Sequence, residues 1–198
     1  ILLAHGRAVR AMRAAAKKKD IKIGFANQGW FFYPEKQTEK NIEAAKRKTL
    51  EYNEQNWHSS VTWFSDPIYL GKYPEPLLSK LKKYLPDSWQ EDLKEICQPL
   101  DFYGQNYYNA TLVDESGNIA NAPVGAKYNS LGLGWDVIPE ALRYAVEWLY
   151  ERYKQPMYIT ENGMSCHDWV SLDGKVHDPQ RIDYIQRHLI ELDKAVEN

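Results

Sequence analysis

The chain has 198 residues, 43% of them hydrophobic and 26% charged, an ordinary globular composition with enough apolar surface for one core. Its 25 Lys plus Arg against 27 Asp plus Glu leave a formal net charge of -2, with no long segment of one sign, which argues against nucleic acid or an acidic membrane surface as partner. No apolar run approaches the roughly 18 residues that span a bilayer, and no charged n-region precedes an apolar h-region, so the expectation is a cytoplasmic parent protein.

The chain opens Ile1-Leu2-Leu3-Ala4-His5-Gly6, with neither an initiator Met nor a capping residue before a helical pattern, as expected of a chain cut from something longer. That pattern predicts a helix from Leu2 to Lys18, closed by Lys17-Lys18-Lys19, whose cations suit the negative end of the dipole. Asp20 breaks the run, and Ile21-Lys22-Ile23-Gly24-Phe25-Ala26 reads as a strand. Thr38 can cap a second helix reaching about Asn56. Between Trp57 and Gln98 lies a long insertion, with helical spacing from Pro76 to Tyr84 and a capping-box pattern at Ser88-Trp89-Gln90-Glu91 that would open another short helix.

Asp101-Phe102-Tyr103-Gly104-Gln105-Asn106-Tyr107-Tyr108, aromatic and bounded by Pro99, predicts a second buried strand, and Asp114 to Asn118 the turn of a small surface hairpin. Pro139 suits the first residue of a helix whose Ala141, Leu142, Ala145, Val146, Trp148 and Leu149 share an apolar face, ending before Pro156. Met157-Tyr158-Ile159-Thr160 predicts a third strand, and Ile182, Ile185, Leu189, Leu192 and Val196 mark the apolar face of a last helix. Cys97 and Cys166, without CxxC spacing or a His cluster, point to neither a disulfide framework nor a structural zinc; no metal and no cofactor are expected.

Helix and strand in regular alternation build a parallel sheet with covering helices, so the class is α/β. A doubly wound sheet and a barrel both fit, but the Gly-rich phosphate fingerprint of the first follows none of the strands. A barrel takes roughly 250 residues, so three strands with long loops make only part of one. Glu161, directly after the third strand in Pro156-Met157-Tyr158-Ile159-Thr160-Glu161-Asn162-Gly163, would stand on the face where barrel enzymes do their chemistry. Asn162 and Gly163 tolerate positive φ and would let the chain turn sharply there. By position alone a loop-capping Glu and a catalytic one both fit.

Tyr158-Ile159-Thr160-Glu161-Asn162-Gly163 resembles the nucleophile signature of family 1 glycoside hydrolases, the β-glucosidases and their relatives. Further stretches are similar to that family in the same order: Leu2 to Arg10, Ile21 to Pro34, Asp101 to Tyr108, Gly134 to Glu140 and Gly174 to Leu189. The resemblance implies a (β/α)8 TIM barrel, of which this chain would be a partial barrel carrying approximately strands five to seven and their helices. It would form one domain over residues 1–198, truncated at both ends.

The resemblance further implies a retaining β-glycosidase, β-glucosidase-like, that acts on small-molecule β-glycosides or oligosaccharides. Glu161 matches the nucleophile that forms the covalent glycosyl-enzyme, and Tyr108 the tyrosine that orients it. Asn106 matches a substrate-binding polar residue of the same strand and would share a face with Tyr108. Trp135 resembles the tryptophan that flanks the leaving-group subsite. Tyr107 reads as core, and Phe31, Phe32 and Trp63 as candidate sugar platforms. Asn27-Gln28-Gly29-Trp30 departs from the usual family pattern.

Retaining hydrolysis also needs an acid/base carboxylate, in the family part of an Asn-Glu-Pro motif. This sequence has none, and Asn53-Glu54-Gln55 falls inside a predicted helix. The acid is therefore expected before residue 1 and the eighth strand after residue 198. Such a chain would be inactive alone and would leave Phe25, Tyr107 and Ile159 bare on the inward side of its strands. Its partners would be the complementary N-terminal and C-terminal barrel segments. The competing expectation is a non-catalytic carbohydrate-binding or assembly fragment.

Overall fold

The computed structural model describes residues 1–18, 20–51, 54–121, 135–166 and 168–198, with backbone alone for 54–56. Lys19, Asn53 and Gly134, each part of a motif named above, lie outside the described residues. In chain order the elements are α1 (Leu2–Ala15), β1 (Gly24–Gln28), β2 (Phe32–Pro34), α2 (Glu39–Leu50), α3 (Val61–Tyr69), α4 (Glu75–Leu81) and α5 (Trp89–Ile96). They continue with β3 (Phe102–Asn106), β4 (Thr111–Val113), α6 (Glu140–Tyr153), β5 (Met157–Glu161) and α7 (Pro179–Glu197). Short 3-10 turns occupy Glu54–Ser59 and Lys82–Tyr84.

The three expected strands form one parallel sheet in the order β1-β3-β5, with Gly24 opposite Phe102 and Tyr103 opposite Met157. It is an open α/β arc of parallel strands and not a closed barrel. A second, two-stranded parallel sheet, in which Phe32–Pro34 pairs with Thr111–Val113, leaves no trace in the sequence pattern. Three residues are too few for a period-2 pattern to register. The hairpin turn at Asp114 to Asn118 is present: the Asp114 N–H donates to the Asn118 carbonyl at 3.0 Å, and Val113 bridges Ile119 antiparallel.

Helix boundaries moved where a cap or an ion pair decided them. α1 ends at Ala15, because Ala16 is already extended (φ -65°, ψ 121°), so Lys17 and Lys18 do not close the helix. Arg13 is the cation of its last turn, and it donates to the Asp101 carboxylate at 2.9 Å and the Pro99 carbonyl at 3.1 Å. Thr38 caps α2 as expected, accepting from the Asn41 N–H at 3.4 Å, but the helix stops at Leu50 rather than near Asn56 because Glu51 turns extended. Ser88 precedes α5 without forming the capping box: its hydroxyl donates to Asp92 at 3.1 Å, and Glu91 pairs with Lys94.

Within the long insertion α3 was not foreseen. It contains Pro67, which weakens a helical reading of the sequence, yet Val61, Thr62, Ser65, Asp66 and Ile68 are wholly buried, so tertiary packing overrides propensity. α1 crosses α5 closely at Gly6. A Cβ there would lie 1.9 Å from the Glu95 carbonyl oxygen, and a backbone oxygen has little freedom to move away. Alanine's better helix propensity contributes at most about 1 kcal/mol. Overpacking at such a contact costs about 1 to 3 kcal/mol, so Gly6→Ala is expected to lower stability. A urea midpoint at or above that of the parent protein would refute the close approach.

Alternation sorts the sheet into two faces, and the helices cover one of them. Tyr103, Gln105 and Tyr107 are buried against helices, with Tyr103 stacked on Tyr153 of α6 at 5.1 Å. Phe25 meets His5 of α1 edge-on at 5.0 Å, and Ile159 packs on the same core as Tyr107. The three side chains expected to be bare on the inward side therefore face the helices. Their parity with Tyr103 and Gln105 in the ladder requires it. The opposite face carries Ala26, Gln28, Tyr158 and Thr160, all exposed, beside Phe102 and Asn106.

The last helix also presents a face other than the expected one. Ile182, Ile185, Leu189 and Val196 are exposed, while Tyr184, His188 and Glu191 are buried. Of the predicted stripe only Leu192 rests on the core.

Candidate active site

Tyr108 follows the end of β3, and Glu161 is the last residue of β5. What brings them together is an irregularity in the ladder. Gln105 pairs with Ile159 but Asn106 pairs with Glu161, so Thr160 is skipped and β5 carries one extra residue at its end. Such a bulge re-aims the side chains beside it. Thr160 donates to the Asn106 amide oxygen at 2.6 Å, and the Tyr108 phenol donates to a Glu161 carboxylate oxygen. Asn106 and Tyr108 thus converge on the end of β5 from the same side, one on Thr160 and the other on Glu161.

That hydrogen bond, followed by partial burial and the nearby carboxylate charge, pushes the Tyr108 phenol up to about 12. The phenol is therefore a donor throughout the neutral range. Glu161 itself is exposed on the open face, accessible to a ligand.

Trp135 lies just before α6, its ring 5.8 Å from that of Tyr108 at 34°. With Asp136, Trp30, Phe31 and Asn109 it lines a cavity of 120 Å³. Trp30, 49% exposed, also lines a neighbouring cavity of 340 Å³ with Gln28, His58 and Phe64. This ring follows β1 in the Asn27-Gln28-Gly29-Trp30 segment, where no spacing marks it as a site residue. A larger cavity of 610 Å³ is lined by Tyr73, Trp89 and Arg152, with none of the four predicted site residues among its walls.

Three candidate platforms are buried, Phe31 among them although it borders the cavity beside Trp135. Phe31, Phe32 and Trp63 are buried in three separate hydrophobic clusters, where Phe31 meets Tyr107 at 5.4 Å and Trp63 meets Tyr73 at 4.6 Å. Tyr107 is core as expected, and its hydroxyl donates to the Ile138 carbonyl at 3.1 Å.

The turn after Glu161 works differently from the expectation. Asn162 is not among the residues with positive φ, and Gly163 at φ 158° is close to extended. Asn162 contributes through its side chain, donating to the Tyr107 carbonyl at 2.9 Å and to the Tyr184 hydroxyl at 3.1 Å. No sequence signal marks Tyr184, because a lone aromatic between Asp183 and Ile185 falls off the apolar stripe of Ile182, Ile185, Leu189, Leu192 and Val196. Among the described residues no group of three His, Cys, Asp or Glu could hold a metal, and no helix is long and apolar enough to cross a membrane.

A family model described as Glycosyl hydrolase family 1 matches residues 1–198. The chain belongs to glycosyl hydrolase family 1. This family 1 chain is 36% identical over its whole length to β-glucosidase A of Thermotoga maritima and 35% identical over 96% of its length to a β-glucosidase of Agrobacterium sp.. It spans 43% and 40% of those two relatives. Among solved structures, a β-glucosidase from Thermotoga maritima in complex with deoxynojirimycin superimposes with a TM-score of 0.78 at 34% identity, covering 99% of this chain and 43% of that one. The parallel arc is thus part of a TIM barrel, and β1, β3 and β5 stand where the resemblance put strands five, six and seven.

Proposed function

We propose that this family 1 chain carries the nucleophile of a retaining β-glycosidase acting on small-molecule β-glycosides or oligosaccharides. The remaining barrel strands come from segments outside these residues. The observation that carries the reading is the hydrogen bond from Tyr108 to Glu161 on the open face. A phenol donating to one carboxylate oxygen fixes the direction of the carboxylate and leaves its other oxygen to attack, which is what a nucleophile needs.

In the proposed reaction a Glu161 oxygen bonds to the anomeric carbon as the bond from that carbon to the leaving oxygen breaks. The leaving oxygen takes the electron pair and a proton from a second carboxylic acid. The same group then takes a proton from water, the water oxygen attacks the anomeric carbon, and Glu161 departs as carboxylate. That acid, about 5 to 5.5 Å from the nucleophile in retaining enzymes, is assigned to a segment outside these residues. Trp135 supplies a flat apolar surface at the leaving-group side. Asn106 already accepts from Thr160, so its amide nitrogen is the group assigned to a sugar hydroxyl. The chemistry draws on no cofactor.

The test is covalent trapping in an assembled barrel with 2,4-dinitrophenyl 2-deoxy-2-fluoro-β-D-glucoside, whose leaving group departs without protonation. A fluoroglucosyl adduct on the peptide containing Glu161 is expected. An adduct elsewhere, or none, overturns the reading.

Tyr108→Phe removes one hydrogen bond to a charged group, worth about 1.5 to 3 kcal/mol. Steady-state kinetics should show kcat/KM reduced by roughly 10- to 150-fold. An unchanged value would separate Tyr108 from the nucleophile's work.

A further inference from the structure

We infer that Tyr184 of α7 is a positioning residue for the Tyr108 and Glu161 pair, an inference that rests on the nucleophile reading above. Its hydroxyl touches the backbone on one side of the pair and a side chain on the other. It donates to the Tyr108 carbonyl at 2.8 Å and accepts from the Asn162 amide at 3.1 Å. Asn162, next in sequence to Glu161, also donates to the Tyr107 carbonyl at 2.9 Å, and the Tyr107 N–H donates to the Glu161 carbonyl at 2.9 Å. The four bonds close a ring through the residues on either side of the Tyr108 and Glu161 contact.

The hydroxyl is well placed to hold rather than merely to fill. Tyr184 is 2% exposed, so water does not compete for its two bonds. Its own position is fixed from behind by His188, whose ring lies 3.9 Å away and whose Nδ1 lies 2.7 Å from the Tyr184 carbonyl. A carbonyl can only accept, so that nitrogen is the donor. β3 and β5 both end before this point, at Asn106 and Glu161, so past the bulge the sheet ladder no longer holds Tyr108. Tyr184 is the described side chain that ties the residues beyond both strand ends to a helix.

A phenylalanine at 184 keeps the ring and loses both bonds. The expected result in an assembled barrel is a fall of about 10- to 100-fold in the first-order rate of Glu161 labelling by the dinitrophenyl fluoroglucoside, the scale set by slight misplacement of a reacting group. The concentration giving half-maximal rate should change little. Because Tyr184 acts through Tyr108, Tyr184→Phe should add less than about 2-fold in a Tyr108→Phe background, the behaviour of coupled residues. Equal slowing in both backgrounds, or no slowing in either, overturns the inference.

Should Tyr184→Phe melt below the assay temperature, Asn162→Ala cuts the same ring without touching the α7 core, and the same slowing and the same loss of effect beside Tyr108→Phe are expected. The two readings fail separately. Parent protein labelled somewhere other than Glu161 defeats the nucleophile assignment, whereas normal labelling at Glu161 with an additive Tyr184 effect defeats only the positioning role.

Discussion

Glu161→Gln is expected to abolish turnover of an aryl β-glucoside in an assembled barrel, by a factor on the order of 10⁶, the scale on which loss of a covalent nucleophile slows an enzyme. The amide is nearly isosteric and still accepts from the Tyr108 phenol, so the contact that fixes the end of β5 survives. What disappears is the anionic oxygen that bonds to the anomeric carbon. Because Glu161 is exposed, the exchange buries no unpaired group and far-ultraviolet circular dichroism and melting temperature should be unchanged. A variant that keeps near parental kcat on an activated glycoside would refute the assignment. Contaminating activity is excluded if the labelled adduct disappears together with turnover.

The largest loss of stability is expected from Arg152→Ala. Asp66 of α3 is buried, its side chain 1% exposed, and it accepts from Arg152 Nε at 2.8 Å, from the other guanidinium arm at 2.5 Å and from the Tyr153 hydroxyl at 2.7 Å. Removing the guanidinium leaves a buried carboxylate whose one side-chain partner among the described residues is the Tyr153 phenol. Breaking a buried pair in this way costs about 3 to 5 kcal/mol. The reciprocal change should cost less, because Arg152 is 31% exposed and can turn to water when Asp66→Ala removes its partner. Surface pairs such as Lys94 with Glu91 set the lower reference, at about 0 to 1 kcal/mol. Urea unfolding of both single variants checks the order. If Asp66→Ala proved the more damaging, the carboxylate would not be the buried, dependent partner.

Much of the fold was legible because local chemistry and tertiary demand agree. The apolar face of α6 was read from Ala141, Leu142, Ala145, Val146, Trp148 and Leu149, and those residues are buried. The three sheet strands were read from short apolar and aromatic runs, and their parallel pairing follows from the helices between them. Glu161 and Tyr108, 53 positions apart, were matched by their motifs and meet at one hydrogen bond.

Periodicity tells which residues share a face, but not which face is covered. On α7 the isoleucine and leucine stripe is the stronger signal, yet the stripe of Tyr184, His188 and Glu191 turns inward, where the Tyr184 hydroxyl meets the Tyr108 carbonyl and the Asn162 amide and the His188 ring meets that of Tyr107. Phe25 and Ile159 were given to the wrong side of the sheet for the same reason: alternation is intrinsic to a strand, while its phase is set by the helices that pack against it.

By itself, then, the sequence determined the alternating α/β order, the family and the identity of the strand-end carboxylate, since these depend on composition, spacing and short motifs. Only the tertiary structure decided the skipped residue at Thr160, the burial of α3 around its proline and the hold of Tyr184 on Tyr108 and Asn162. Each of these rests on hydrogen bonds or packing between residues distant in the chain. Whether such a bond forms depends on a separation of a few ångströms that no local pattern encodes.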